Sequence, residues 1–278
     1  MIAPTKLEHA TKAQLYRWFN GYERYFTASR INNQLALLAA DIVVTTPRES
    51  ISGTSNYAQG LKEYRGMKIA HTIEDIKITT KINGRIEAEI TLIYHGVQRD
   101  GTDNCLRFIY KNELAQIPNK LPVFKNIQLE VDGAFQSPPF TDSYPKLRSL
   151  ALMHYYLFLI ERLKENAVDF QEILMDEFQL KFSPTTIISS IEDLNTWLKK
   201  VSEKVAITSH YPKNVVVKTL ALDKYELSVD FDWEGWTTTN QKMTAQTRHT
   251  WVIIDKKNDR FAKIQSIEVE QLVSFSMA

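Results

Sequence analysis

Apolar residues recur with two periods along this chain, and each period occurs twice. Near the start, Leu15, Trp18, Phe19, Tyr22 and Phe26 fall at i, i+3, i+4, i+7 and i+11, which predicts an amphipathic helix packed on a core. Leu35, Leu37 and Leu38 predict a shorter second helix that leads through Asp41 into a strand over 42–46. Thr54 or Ser55 can cap a third helix carrying Tyr57, Leu61 and Tyr64. The order then returns. Met153, Tyr156, Leu157, Ile160 and Leu163 form one stripe, Phe170, Ile173 and Leu174 a second, and Leu194, Trp197, Leu198 and Val201 a third after Ser190. Beyond the third helix the period drops from 3.6 to 2. Tyr225, Leu227, Val229, Phe231 and Trp233 alternate with Glu226, Ser228, Asp230, Asp232 and Glu234, as antiparallel strands with one buried face require. Asn83-Gly84 and Asp100-Gly101 read as hairpin turns, and residues 222–224 stand where the first of these falls in the second half.

The two halves align in detail. Residues 69–96 lie without gaps on 208–235, so that His71 meets His210, Ile76 meets Val215, Ile90 meets Val229, Leu92 meets Phe231, Tyr94 meets Trp233 and Gly96 meets Gly235. The offset is 139, half of the 278 residues. Residues 137–145 hold three prolines among polar residues and predict the linker. The expected organisation is therefore two domains, 1–136 and 146–278, each α+β.

Composition narrows the functional classes. Lys and Arg number 34 against 33 Asp and Glu, a net charge of +1 that offers no single-sign field for nucleic acid or an anionic membrane. The single cysteine, Cys105, allows no internal disulfide and reads as a small core residue. Residues 1–12 are polar and lack the apolar core of a secretory signal. The longest apolar run, 150–160, contains His154 and falls far short of the ~20 residues that span a bilayer. A cytoplasmic protein is expected.

Three helices followed by a His-x4-[Ile/Val]-x-[Ile/Val] opening of a long meander resemble the nuclear transport factor 2-like superfamily, in particular its SnoaL-like branch. The resemblance covers nearly the whole chain, taken twice. It implies two cone-shaped domains, each with three helices packed on a curved antiparallel sheet around an apolar pocket. Because members often pair through their sheets, a tandem copy also implies an internal pseudo-dimer, the chain itself being monomeric.

The same resemblance directs attention to His71 and His210. Each opens the first long strand of its half, as one catalytic histidine of scytalone dehydratase does, and a histidine can move a proton near neutral pH. At a helix-to-strand junction it can equally serve to satisfy backbone groups. The dehydratase's first-helix carboxylate would fall near Ala28 and Asn166, its strand tyrosine near Thr45 or Thr46 and near Phe182, and its second histidine near His95, whose counterpart is Glu234. The carboxylate and the tyrosine find no counterpart, and the alternation places both His95 and Glu234 on a solvent face. Arg248-His249 reads as a solvated face or, with Trp251, as lining of the second pocket. Asp230, Asp232 and Glu234 read as a lysine-paired surface or a divalent-ion site. No zinc spacing and no phosphate-binding glycine loop occurs, so neither metal nor cofactor is expected.

Three functions fit. The first is binding of a small apolar molecule in one or both cones, lined by Trp18, Tyr22, Phe26 and Tyr57 in one half and by Tyr156 and Trp251 in the other. The second is an enzyme of the cyclase, isomerase or dehydratase kind with His71 or His210 as general acid or base. The third is a non-catalytic assembly module. A buried histidine hydrogen-bonded to an acid would favour the enzyme, apolar lining alone the binder, and side-chain-filled cones the assembly role. The first half, with its tyrosines near His71, is the expected working pocket.

Overall fold

The computed structural model describes residues 5–24, 27–81, 84–163, 167–256 and 258–277. The first repeat runs α1 (Lys6–Asn20), α2 (Ala28–Leu35), β1 (Leu38–Thr45), β2 (Ser50–Ser52), α3 (Thr54–Gly60), a 3₁₀ turn (Leu61–Tyr64), then β3 (Lys68–Thr80), β4 (Arg85–Val97), β5 (Asp103–Ala115) and β6 (Val123–Phe135). The second runs α4 (Tyr144–Ile160), a 3₁₀ turn (Ala167–Glu172), β7 (Leu174–Ser183), β8 (Thr186–Ile188), α5 (Ile191–Lys204), β9 (Val205–Ala221), β10 (Lys224–Thr237), β11 (Lys242–Ile254) and β12 (Lys263–Met277).

Two six-stranded sheets with the same order result, β2-β1-β6-β5-β4-β3 and β8-β7-β12-β11-β10-β9. This is the repeated helix-on-sheet architecture that the superfamily resemblance implied. The sheets are mixed, however, where purely antiparallel ones were expected: β1 runs parallel to β6, and β7 to β12. Alternation along a strand reports which face is buried and carries no information on the direction of the neighbour. Strand β10 shows the alternation plainly, with Tyr225, Leu227, Val229 and Phe231 buried, while Glu226 and Asp230 between them pair with Lys218 and Arg248.

Several local expectations shift. Helix α2 stops at Leu35, and Leu38 already belongs to β1. The second stripe of the second half is a 3₁₀ turn, from which Leu174 passes into β7. Tyr144 and Pro145, placed in the linker, begin α4, where proline's missing N–H costs nothing in the first turn. Ser190 caps α5 as expected, its hydroxyl accepting from the Asp193 N–H at 3.0 Å. Of the Asn83-Gly84 turn, Asn83 lies outside the described residues, whereas Gly84 adopts a φ of +76° that glycine tolerates best.

The chain divides into two compact units, Gln14–Leu147 and a second formed by the chain from Arg148 onward together with the segment ending at Ala13. The first turns of α1 thus belong to the second unit. Among the described residues no helix is long and apolar enough to cross a membrane.

The matched glycines have a steric cause. A Cβ at Gly96 would collide with the Tyr94 phenol, and one at Gly235 with the Trp233 indole, so each aromatic ring lies over a bare backbone two residues away. Gly235→Ala is expected to destabilise the protein by about 1–3 kcal/mol, the usual cost of overpacking. Gly96→Ala should cost less, because only the phenol's far end must swing aside. Thermal denaturation of both variants checks the ranking, and a wild-type midpoint for Gly235→Ala would refute it.

Candidate functional site

In the first unit α1 ends at Asn20, and the turn that follows brings Glu23 beneath the start of β3. Three donors converge on Glu23 Oε1: the His71 backbone N–H at 2.9 Å, His71 Nδ1 at 2.8 Å and Ser143 Oγ at 2.8 Å. Ser143 Oγ also accepts from the His71 N–H at 2.8 Å. The pair is fully enclosed, with side-chain exposures of 4% for His71 and 0% for Glu23. Burial pushes the Glu23 carboxyl above its ordinary range, opposed by the hydrogen bonds and charge of His71 and by Ser143. Its other oxygen, Oε2, has no hydrogen-bond partner among the described residues.

Aromatic rings enclose the pair. Phe19, Tyr94 and Tyr22 lie 5.3, 5.7 and 6.3 Å from the His71 ring, centroid to centroid. Behind Tyr22 stands Trp18, which stacks on Tyr57 at 5.6 Å and 24°. Trp18 Nε1 and the Tyr57 hydroxyl are both buried without a hydrogen-bond partner among the described residues. Desolvation raises the Tyr57 phenol well above 10 and that of Tyr94 to about 12, so both stay protonated. The structure therefore brings His71, Trp18 and Tyr22 together and reaches Tyr57 through Trp18. Phe26 lies outside the described residues.

The second unit repeats the motif with more histidines. Glu161, in the turn after α4, accepts from the His210 N–H at 2.8 Å and His210 Nδ1 at 3.2 Å, while Thr5 Oγ1 donates to its other oxygen at 2.8 Å. His9 Nε2 lies 3.4 Å from Glu161 and 3.0 Å from the His210 carbonyl. Because a carbonyl only accepts, Nε2 of His9 carries a proton. Its Nδ1, 2.9 Å from His154 Nδ1, is then the acceptor of the His154 N–H when His9 is neutral. Burial alone would raise Glu161, but the hydrogen bonds and charges of His210 and His9 outweigh it and hold the carboxyl at about 2. Burial, with the charge of His9, keeps His154 well below 6.5.

Tyr156 meets Trp251 edge-on at 4.9 Å, and Phe231 lies between His210 and His249 at 5.8 and 4.7 Å. His249 is buried with Trp251, not solvated, because β11 turns this side of its alternation toward the core. Desolvation lowers it to about 3. His95 is likewise buried, not solvent-exposed: Asp103 pairs with its Nε2 at 2.7 Å, and Phe140, from the segment before α4, covers the ring at 5.2 Å. Asp230, Asp232 and Glu234 pair with Arg248, Lys213 and Lys242. Among the described residues no three potential ligands group as a metal site. An open groove of about 550 Å³ lined by Asp176, Glu177 and Gln265 shares no residue with either histidine site.

The carboxylates were missed. The carboxylates that pair with the two histidines are Glu23 and Glu161, whereas Ala28, where the resemblance would have put one, opens α2, and Asn166 lies outside the described residues. A signal existed, since Glu-Arg occurs at 23–24 and 161–162, an offset of 138, as does the hydroxyl pair Thr5 and Ser143. At that offset His9 corresponds to Leu147. An apolar residue therefore stands in the first unit where the second supplies a donor.

No family model matches the sequence, and no curated protein does. Among solved structures the chain is similar to a candidate aromatic ring hydroxylase from Novosphingobium aromaticivorans (14% identity, 51% of this chain, 96% of the other, TM-score 0.44). It is also similar to a candidate scytalone dehydratase from the same organism (9%, 47% and 85%, TM-score 0.42) and to the hexachlorocyclohexane dehydrochlorinase LinA-type3 from Novosphingobium barchaimii (16%, 48% and 89%, TM-score 0.42). Each neighbour matches about half of this chain.

Proposed function

We propose that the first unit is a proton-transfer site for a small, largely apolar compound bearing a carbonyl or hydroxyl, with His71 as general base and acid, Glu23 as its positioning partner, and the second unit as a structural copy. The carrying observation is the asymmetry between the two carboxylates. Glu161 has both oxygens occupied by side chains of its own unit, whereas Glu23 keeps one buried oxygen without a partner among the described residues, beside a histidine walled by aromatic rings.

With Glu23 facing Nδ1, the Nε2 lone pair of His71 is the basic one. A proton leaving a carbon beside a carbonyl passes to Nε2, and the electron pair left behind moves into the carbonyl as an enolate. Glu23 steadies the imidazolium so formed, an interaction strengthened by the enclosed surroundings. Return of the proton to the same or a neighbouring atom completes exchange or isomerisation.

α-Tetralone in D2O is the test compound, with loss of its α-proton signal followed by NMR. The wild-type protein is expected to accelerate exchange over buffer, and His71→Asn to reduce that acceleration at least ~100-fold, the usual share of a positioned acid or base. Equal rates for the two proteins, or no acceleration, would defeat the reading. Binding without chemistry is the second reading, favoured by the apolar lining that Trp18, Phe19 and Phe124 supply; tetralone bound but unexchanged would establish it.

A further inference from the structure

Residues 136–143 join the two repeats, yet they send a side chain to the Glu23–His71 pair. Ser143 Oγ lies 2.8 Å from the His71 backbone nitrogen and 2.8 Å from Glu23 Oε1. A backbone N–H can only donate, so the Ser143 oxygen accepts from it and the hydroxyl proton is left for the carboxylate. Glu23 Oε1 thus faces three donors, the Ser143 hydroxyl, the His71 N–H and the His71 ring, which favour the ionised form that burial opposes. His71 reaches Glu23 from β3 and Ser143 reaches it from the joint, while Arg24 beside it turns to Asp142.

Contacts on either side fix Ser143 in place. Phe140 packs on His95 at 5.2 Å, and Asp142 pairs with Arg24 and accepts from the Tyr144 N–H at 3.1 Å. Tyr144, wholly buried, is met by the guanidiniums of Arg24 and Arg30 at 4.9 and 5.2 Å, and its hydroxyl accepts from Arg30 at 2.7 Å. The Ser143 carbonyl accepts from the Leu147 N–H at 3.0 Å, in the first turn of α4. A hydroxyl locked in this way is preorganised for its partner. The second unit repeats the device, since Thr5, 138 residues earlier, donates to Glu161 at 2.8 Å. In both units the hydroxyl comes from the residue just ahead of the other repeat's first helix. We propose that Ser143 is a positioning residue of the first unit, supplied by the joint between the repeats, which holds Glu23 Oε1 as the acceptor facing His71. A first repeat cut at residue 136 would keep Glu23 and His71 and lose the hydroxyl that serves them. The assignment rests on the proton-transfer reading only for its consequence in catalysis.

Titration of the Glu23 carboxyl by carbon-13 NMR in the full chain tests this without any substrate. Ser143→Ala is expected to raise the Glu23 midpoint by about 1 pH unit, because a hydrogen bond that favours the charged form is lost. Ser143→Thr, which carries the hydroxyl that Thr5 supplies in the other unit, should keep the wild-type midpoint, and Ser143→Val, of the same size without a hydroxyl, should move with Ser143→Ala. A side chain that only fills space would alter the melting temperature and leave the Glu23 titration where it was. The Thr and Val variants decide the matter if Ser143→Ala disturbs folding as judged by circular dichroism. A midpoint unmoved in both Ser143→Ala and Ser143→Val, or moved equally by Ser143→Thr and Ser143→Val, would overturn the proposal. Exchange of α-tetralone should fall about 3- to 10-fold in the two variants without a hydroxyl and persist in Ser143→Thr. Titrations as expected with no exchange in wild type would sink the proton-transfer reading alone.

Discussion

Lowering the pH from 7 to 4 is expected to unfold the second unit while the first remains folded. His154 and His249 are held neutral in the folded second unit, the latter down to about pH 3, whereas the unfolded chain protonates them near 6.5. Stability therefore falls as pH drops below 6.5. Glu161 is held ionised down to about pH 2 against an ordinary 4.5, so its contribution disappears as pH falls from 4.5 through 2. Between pH 6.5 and 4, at ~1.4 kcal/mol per pH unit, His249 alone removes about 3 kcal/mol and His154 adds to the loss, against the ~5–15 kcal/mol that holds an ordinary domain together, while most of the Glu161 contribution is lost only below pH 4. Glu23 has the opposite sign. Its folded pKa is raised, so the folded first unit takes up this proton before the unfolded chain does and gains stability from acid, which it loses as pH rises through the raised value. Hydrogen exchange followed by mass spectrometry should show β10 and β11 losing protection at pH 4 and β4 and β5 keeping theirs. Simultaneous loss, or loss in β4 and β5 first, would contradict the assignment. His249→Phe should move the second unit's acid midpoint downward.

Replacing Arg148 by Ala should destabilise the second unit by about 3–5 kcal/mol, the cost of removing one partner of a buried ion pair. Arg148 and Asp255 are nearly inaccessible, 1% and 0% exposed in their side chains, and meet at 2.9 Å. The remaining guanidinium nitrogens donate to the carbonyls of Arg260 and Asp259, both at 2.8 Å. A fall of ~10 °C or more in the melting midpoint is expected, with Arg148→Lys intermediate because an ammonium cannot reproduce the fork. Calorimetric scans of the two variants decide; an unchanged midpoint for Arg148→Ala would show that Asp255 had found another partner or a proton.

How far the sequence led depended on whether a signal was periodic. Helix stripes and strand alternation repeat every few residues, and so α1, α4, α5 and the four-strand meander of each half were legible. The 139-residue offset was equally plain from the His71 and His210 strands. Partner direction is not periodic, which left the parallel β1–β6 and β7–β12 pairs unseen. Nor does alternation foresee a cover from elsewhere in the chain, which is why Phe140 over His95 was missed. The acid of the site escaped for a third reason. Glu23 and Glu161 sit in irregular turns, one residue off the strand offset, and only their shared position in two copies could have drawn attention to them.

The division of the chain at Ala13 and Arg148 bears on the order in which the protein comes together. Thr5 and His9 leave the ribosome before any residue of the first unit, yet the carboxylate they serve, Glu161, follows more than 150 positions later. Closing so long a loop costs entropy before any contact rewards it, and it gives the second unit a high contact order. During synthesis the leading turns of α1 must therefore wait, unsatisfied, while the whole first unit is made. A fragment beginning at residue 146 would lack them altogether and is expected to leave Glu161 without two of its partners.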